Sequence, residues 1–258
     1  MNKDLKLIYD IQKEVIVLGQ ISSLLGWDQQ TNMPPKGVNS RSEQSGMIAN
    51  LIHKKYTSDD LYDALKRLQK NNLTGKDKML VRKLYKDVSK ARKIPEDFVV
   101  ELSKATSLGF QAWEKARHES NFDIFRPHLE KIIKLKQREC KYIGERGHAY
   151  NSLLDSYEEG MTVEKIKPIF FKLKKDLIKL IDDIKKTDLY KKQKNELLNK
   201  EFPKEKQRKL CEDVISRIGL KKECSRLDLS THPFTEKLGM NDIRITTNFR
   251  ESPLFSFE

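Results

Sequence analysis

Asp4-Leu5-Lys6-Leu7-Ile8-Tyr9-Asp10-Ile11-Gln12-Lys13-Glu14-Val15-Ile16-Val17-Leu18-Gly19-Gln20-Ile21-Ser22-Ser23-Leu24-Leu25 decides the fold class. Leu5, Ile8, Ile11, Val15, Leu18, Ile21 and Leu25 recur every three or four residues, which is one stripe of an amphipathic helix. The stripe stops at Met33-Pro34-Pro35-Lys36-Gly37, a loop by composition.

The same period returns along most of the chain. Ser40-Arg41-Ser42-Glu43 has capping-box spacing and predicts a second helix with Met47, Ile48, Leu51 and Ile52 inward. Ser58 opens a short helix with Leu61, Leu65 and Leu68 on one side. Thr74-Gly75-Lys76-Asp77 starts another, carrying Leu80, Leu84 and Val88. Pro95 is predicted at the first helical position, followed by Glu96 and Asp97 in the turn where carboxylates are favourable. The face Phe98, Leu102, Ala105, Gly109, Ala112 and Ala116 ends in small residues that allow close helix contact.

Asn121 is predicted to open the next helix, over 125–136. Thr162 then caps a long one with Val163, Ile166, Ile169, Phe170, Leu173, Leu177, Leu180, Ile181 and Ile184 on its apolar side. Pro168 predicts either a kink or a later start there. The last helix covers 205–218, with Gly219 just beyond it.

After Gly219 the period changes to two. Arg226-Leu227-Asp228-Leu229-Ser230 and Asp242-Ile243-Arg244-Ile245-Thr246-Thr247 read as two short paired strands, with 231–241 as the connection. The expected fold is mostly α, one domain over 1–258, helical through 1–220. Short strands and loops occupy 221–258.

Composition agrees. Gly (11) and Pro (8) are scarce among 258 residues, against collagen, low complexity or a turn-rich β protein. Lys and Arg number 51 against 38 Asp and Glu, giving +13, with lysines interleaved among carboxylates throughout. That distribution predicts solvated helix faces, with no nucleic acid expected as a partner. Cys140, Cys211 and Cys224 contain no C-x-x-C, which fits a reducing, cytoplasmic setting. The start MNKDLKLIYD has no apolar core of a secretory signal, and no run approaches the ~18 apolar residues of a membrane span.

The histidines are His53, His118, His128, His148 and His232, none three or four residues from another, so no helical pair of zinc ligands exists. His118-Glu119 begins like H-E-x-x-H, but Phe122 stands at the second ligand position. No G-x-S-x-G, Walker A or G-x-G-x-x-G is present, and Gly144 and Gly147 around Glu145-Arg146 are too little for a phosphate loop.

Five longer segments, taken in order, resemble one family. Leu25-Gly26-Trp27-Asp28-Gln29-Gln30-Thr31-Asn32-Met33-Pro34, continued by Arg41-Ser42-Glu43-Gln44, is similar to an opening signature of the M32 metallocarboxypeptidases, the carboxypeptidase Taq family. Ala112-Trp113-Glu114-Lys115-Ala116-Arg117 and the 125–136 helix resemble its A-W-x-x-A-R block and the helix after it. Tyr150-Asn151-Ser152-Leu153-Leu154-Asp155-Ser156-Tyr157-Glu158-Glu159-Gly160-Met161-Thr162 resembles a third block. His232-Pro233-Phe234 and Asp242-x-Arg244-x-Thr246 match the family's H-P-F and D-x-R-x-T motifs.

The resemblance implies a long-helix, zincin-like body with a small sheet. It implies a cytoplasmic, dimeric zinc enzyme that releases single residues from the C-termini of peptides. In the family the D-x-R-x-T strand is followed by a helix bearing H-E-x-x-H, absent from this sequence. The expectation is therefore an N-terminal half, truncated before the zinc ligands, with apolar Phe249, Leu254, Phe255 and Phe257 near its end. Alone, it is expected to bind no catalytic zinc and cleave no peptide.

His232, Pro233, Phe234, Asp242, Arg244 and Thr246 are the candidate residues at the border of the substrate groove. Two roles stay open for Arg244: a bond to substrate or an active-site loop with Asp242 orienting it, or a tie between strands. His232 is expected to pin the loop before Pro233, and Trp27, Asp28 and Met33 to form a packed corner at a helix end. The competing readings are a non-catalytic helical binding or regulatory module and, more weakly, a basic RNA-binding protein.

Overall fold

A computed structural model of the chain describes residues 2–144, 147–192 and 201–250. The calls on Leu254, Phe255 and Phe257, and on Glu145-Arg146, lie outside them. Ten helices precede and flank a three-stranded sheet among the described residues.

The opening stripe forms α1 (Lys3–Thr31), capped by the Asn2 side chain, which accepts from the Asp4 amide. Its first half buries Leu5, Ile8 and Ile11. They meet Leu61, Ala64, Leu65 and Leu68 of α3 (Asp59–Gln69) and Val81, Leu84 and Val88 of α4 (Gly75–Ala91) in one core. Ser58 caps α3 as its sequence position requires, its hydroxyl accepting from the Leu61 amide. A second cluster joins Phe98 and Ala105 of α5 (Glu96–His118) to Leu135 of α6 (Arg126–Ile143).

Between these clusters runs α2 (Val38–Tyr56), against α1 on one side and α5 on the other. It departs from expectation twice. The helix begins at Val38 without a side-chain cap, so the Ser40 box lies inside it. Met47 and Leu51 point to solvent, while Ser42 and Gly46 are buried. The reason is proximity: a Cβ on Gly46 would sit 3.3 Å from the Val100 side chain of α5 and 3.2 Å from that of Lys104. Close approach selects the small face over the apolar one.

The small residues late in α5 serve the same purpose against α6. A Cβ on Gly109 would lie 2.9 Å from Ile132 Cδ1. Gly109→Val is expected to cost about 1–2 kcal/mol, because a β-branched side chain overpacks this crossing. Equilibrium urea denaturation of the variant measures it.

Pro95 proves to be the N-cap of α5 rather than its first residue. Asn121 opens a single 3-10 turn, Phe122–Ile124, and α6 follows it. After the short α7 (Asn151–Leu154), α8 (Val163–Lys186) starts where Thr162 caps it, its hydroxyl accepting from the Lys165 amide at 3.3 Å. Pro168 does not delay that start: near the N-terminal end its missing N–H forfeits only the bond to the Glu164 carbonyl. The apolar side of α8 is exposed, and no residue of the helix is buried among the described residues. The short α9 (Asp188–Lys192) follows it.

α10 (Lys204–Arg217) closes with Gly219 at φ +88°. The Leu220 amide donates to the Ile215 carbonyl and the Gly219 amide to Ser216, a Schellman ending.

The sheet contains β1 (Ser225–Leu229), β2 (Thr235–Gly239) and β3 (Asp242–Thr247), in the order β1-β3-β2. β1 and β3 pair as expected, but in parallel, with Arg226 beside Arg244 and Asp228 beside Thr246. The expected connection 231–241 contains a strand, β2, which hairpins back antiparallel on β3. Thr-Glu-Lys-Leu-Gly buries only Leu238, too little apolar alternation to register as a strand.

Candidate functional site

Trp27 lies near the C-terminal end of α1, only 5% exposed, where α1 meets the sheet. Because β1 and β3 run parallel with Arg226 and Arg244 in register, both guanidinium groups reach the indole. Their Cζ atoms lie 4.9 Å and 4.3 Å from the ring centroid. Two cations side by side repel, and each is neutralised by a carboxylate two residues away on its own strand. Arg226 donates to Asp228 at 2.7 and 2.6 Å, and Arg244 to Asp242 at 3.0 and 2.9 Å, both bidentate. The hydrogen bond from Arg244 holds the Asp242 carboxyl below the ordinary carboxylate range. The bond to Asp228 likewise raises Arg226 above its ordinary value.

The expected corner around Trp27 is present and broader than expected. Arg41 of α2 donates to the Leu25 carbonyl and to Asp28, and its side chain is 11% exposed. Thr31 Oγ1 donates to the Trp27 carbonyl at 2.7 Å. Met33 lies past the helix end, against Gly37.

Thr246 joins the two short motifs. It is 3% exposed, its amide donates to the Phe234 carbonyl at 2.8 Å, and its hydroxyl accepts from the Phe234 amide at 2.9 Å. The Ser230 hydroxyl sits 2.7 Å from Thr246 Oγ1 and 2.8 Å from the His232 carbonyl. His232 itself is exposed, with Nδ1 2.9 Å from the Pro233 carbonyl, an arrangement that shapes the loop. The structure thus brings Pro233, Phe234 and Thr246 together and pairs Asp242 with Arg244.

Thr231, just before this loop, borders two hollows, which His232, Pro233, Phe234, Asp242, Arg244 and Thr246 do not line. A cavity of about 760 Å³ opens between Gln29, Met33, Gln111, His118 and His128. A second, of about 420 Å³, lies between Thr31, Lys204, Ser230 and Asn248. Glu114 and Thr231 line both, and the Thr231 hydroxyl donates to Glu114 at 2.6 Å, a partition tying α5 to the loop. Sequence reasoning placed Glu114 in a helical block without a role and missed Arg226; the alternation of β1 was the available signal for the latter.

Another missed residue is Asp155, in the segment after α7. Its carboxylate accepts from Lys90 and Lys86 of α4, and from the Gly160 amide at 2.9 Å. These partners, Lys90 first, hold its carboxyl well below the usual range. Nearby, Asn151 Oδ1 accepts from the Val163 amide at 2.7 Å and Ser152 donates to the Gly144 carbonyl. The 150–162 block therefore acts as a knot that fixes the root of α8 to α4 and α6.

Among the described residues, no group of three or more His, Cys, Asp or Glu side chains could hold a metal ion, and no helix is long and apolar enough to cross a membrane. The described residues therefore do not fit a catalytic metal.

The sequence profile of carboxypeptidase Taq (M32) metallopeptidase matches residues 8–257. The chain belongs to the M32 family. Thermostable carboxypeptidase 1 of Pyrococcus furiosus is 32% identical over 250 residues, covering 96% of this chain and 50% of the relative. Carboxypeptidase 1 of Bacillus subtilis is 32% identical over 252 residues, covering 95% and 49%. Among solved structures, a crystal structure of BsuCP superposes with a TM-score of 0.93 at 30% identity, over 99% of this chain and 52% of that one. Metallocarboxypeptidase 1 of Trypanosoma cruzi gives 0.79 at 27% identity, over 99% and 52%. The mostly helical M32 body with its small sheet is thus shared, and this chain spans about half the length of the curated relatives it matches.

Proposed function

We propose that these residues form one wall of the peptide groove of a zinc metallocarboxypeptidase that releases single residues from peptide C-termini. The observation that carries this reading is the junction at Thr246. There the H-P-F loop and the D-x-R-x-T strand are locked together, and the residue just before that loop, Thr231, bonds to Glu114 and lines the hollows with it. A groove that accepts the end of a chain needs such a rigid border, since positioning is worth several kcal/mol in a hydrolytic site. His232 shapes the loop. Arg244, held by Asp242 and stacked on Trp27, acts as a positioning residue. The complete enzyme is a cytoplasmic homodimer acting on peptides, with its zinc ligands outside these residues.

This reading predicts that the purified 258-residue chain, supplied with zinc, releases no amino acid from a blocked dipeptide. Adding a polypeptide that carries the half of Bacillus subtilis carboxypeptidase 1 outside the match is expected to give chelator-sensitive release. Chelator-sensitive hydrolysis by the 258 residues alone would refute the division of labour. RNA binding that weakens with salt in a gel shift would point to the basic-surface reading instead.

A further inference from the structure

The larger hollow, of about 760 Å³, lies where the end of α1, the start of α2 and the second half of α5 meet the Phe122–Ile124 turn. Met33, Val38, Leu108, Ala112 and Ile124 give it apolar walls. Glu114 stands apart from them, because a carboxylate is costly to hold beside apolar surface unless something compensates its charge.

Elsewhere in this chain the compensation is a cation. Asp28 is held by Arg41, Glu139 by Lys136, Asp155 by Lys90 and Asp228 by Arg226. The half-buried Glu114 has a neutral partner instead, the Thr231 hydroxyl, 2.6 Å from Oε1. A carboxylate accepts up to about four such bonds, so its second oxygen can take a donor that enters the cavity. One turn earlier on α5, Gln111 directs its amide nitrogen at the Pro35 carbonyl, which leaves its Oε1 as a second acceptor among the lining groups.

Position separates Glu114 from the cations nearby. It lines both hollows and so stands in the wall between them, whereas Lys115 and His118 line the larger one alone and are exposed. Solvent screens exposed charges more strongly than half-buried ones. His118 and His128 share the cavity with Glu114, yet no three such side chains among the described residues converge on a metal ion. The complement of apolar walls with a carboxylate set in them is an organic cation on an aliphatic stem. Lysine and arginine side chains have that form.

We infer that this cavity receives the basic side chain of a bound peptide, its stem along Met33, Val38 and Leu108 and its head on Glu114. The inference rests on the proposed function, which makes the ligand a peptide, and adds that the peptide is selected for a basic residue.

The probes are alanine hexapeptides, labelled at the N-terminus, that carry one lysine at each position in turn. Each has a twin with norleucine there, which keeps the aliphatic stem and lacks the ammonium. Fluorescence anisotropy with the 258-residue chain is expected to show one lysine peptide binding about tenfold more tightly than its twin, the scale of a charge-assisted hydrogen bond. The chain carries +13, so its overall field favours acidic peptides, and a lysine preference requires a local acceptor. Glu114→Gln should erase the preference. Thr231→Val removes the hydroxyl and keeps the carboxylate, so the preference should persist. Circular dichroism checks that both variants retain their helix content.

No binding of any peptide, equal binding of every pair of twins, or a preference that survives Glu114→Gln overturns the inference. So does a preference lost equally in Thr231→Val, which would make the bond across the wall the deciding feature. A second series of measurements adds the half of Bacillus subtilis carboxypeptidase 1 outside the match. An intact lysine preference without hydrolysis sinks the proposed function and leaves the pocket standing. Chelator-sensitive hydrolysis with every pair of twins bound equally does the reverse.

Discussion

Trp27→Ala is expected to destabilise the chain by about 3–5 kcal/mol, the range for removing a large buried aromatic side chain. The indole is 5% exposed and is the surface on which Arg226 and Arg244 rest. Its loss leaves a cavity between α1 and the sheet and removes two cation–π contacts of about 0.5–2 kcal/mol each. Trp27→Phe should recover most of the loss. It keeps a ring under both guanidinium groups, and the indole N–H has no acceptor among the described residues to forfeit. Urea denaturation followed by far-ultraviolet circular dichroism measures both variants. A cost below about 1.5 kcal/mol for Trp27→Ala would mean that the ring is not the joint between helices and sheet.

Asp155→Asn is the second large effect, about 3 kcal/mol at neutral pH. It leaves Lys90 and Lys86, 21% and 32% exposed, facing a neutral amide in place of a carboxylate that is 13% exposed. The pH dependence follows from linkage. Asp155 has a folded-state pKa below its unfolded value, which lies near the ordinary ~3.9. The folded state therefore binds the proton less readily, so the contribution is complete above the unfolded value and fades as pH falls toward the folded one. The stability gap between wild type and Asp155→Asn should be wide at pH 6–7 and narrow steadily below about pH 4. A gap that stays constant down to pH 2–3 would show that the carboxylate charge is not what ties the knot.

How much of this was legible beforehand depended on whether the signal was local. The α3 start at Ser58, the α8 start at Thr162 and the α10 end at Gly219 each arise from a side chain or a φ within a few residues. Such local signals are legible in the sequence, although Pro168 suggests a later start for α8 than the one the Thr162 cap fixes. The inward face of α2 is not legible, because Met47 and Leu51 look more apolar than Gly46. What decided the matter was the closeness of Val100 and Lys104, about fifty residues further on. The candidate residues divide in the same way: the H-P-F and D-x-R-x-T motifs stood out as strings, but their junction at Thr246 is a pairing between separate strands.

The amino-acid order by itself determined a helical body, the place where the chain turns to sheet, and a likeness to M32 carboxypeptidases, because helix period, capping and motif spacing are written in consecutive residues. Only the tertiary structure decided that β1 and β3 run parallel with a third strand beside them. From that alone follows the pairing of Arg226 with Arg244 over Trp27, which links residues about two hundred positions apart. It also decided that the described residues leave the apolar side of α8 exposed. Periodicity announces that a face is apolar, but what covers it depends on which surfaces the rest of the fold brings within reach.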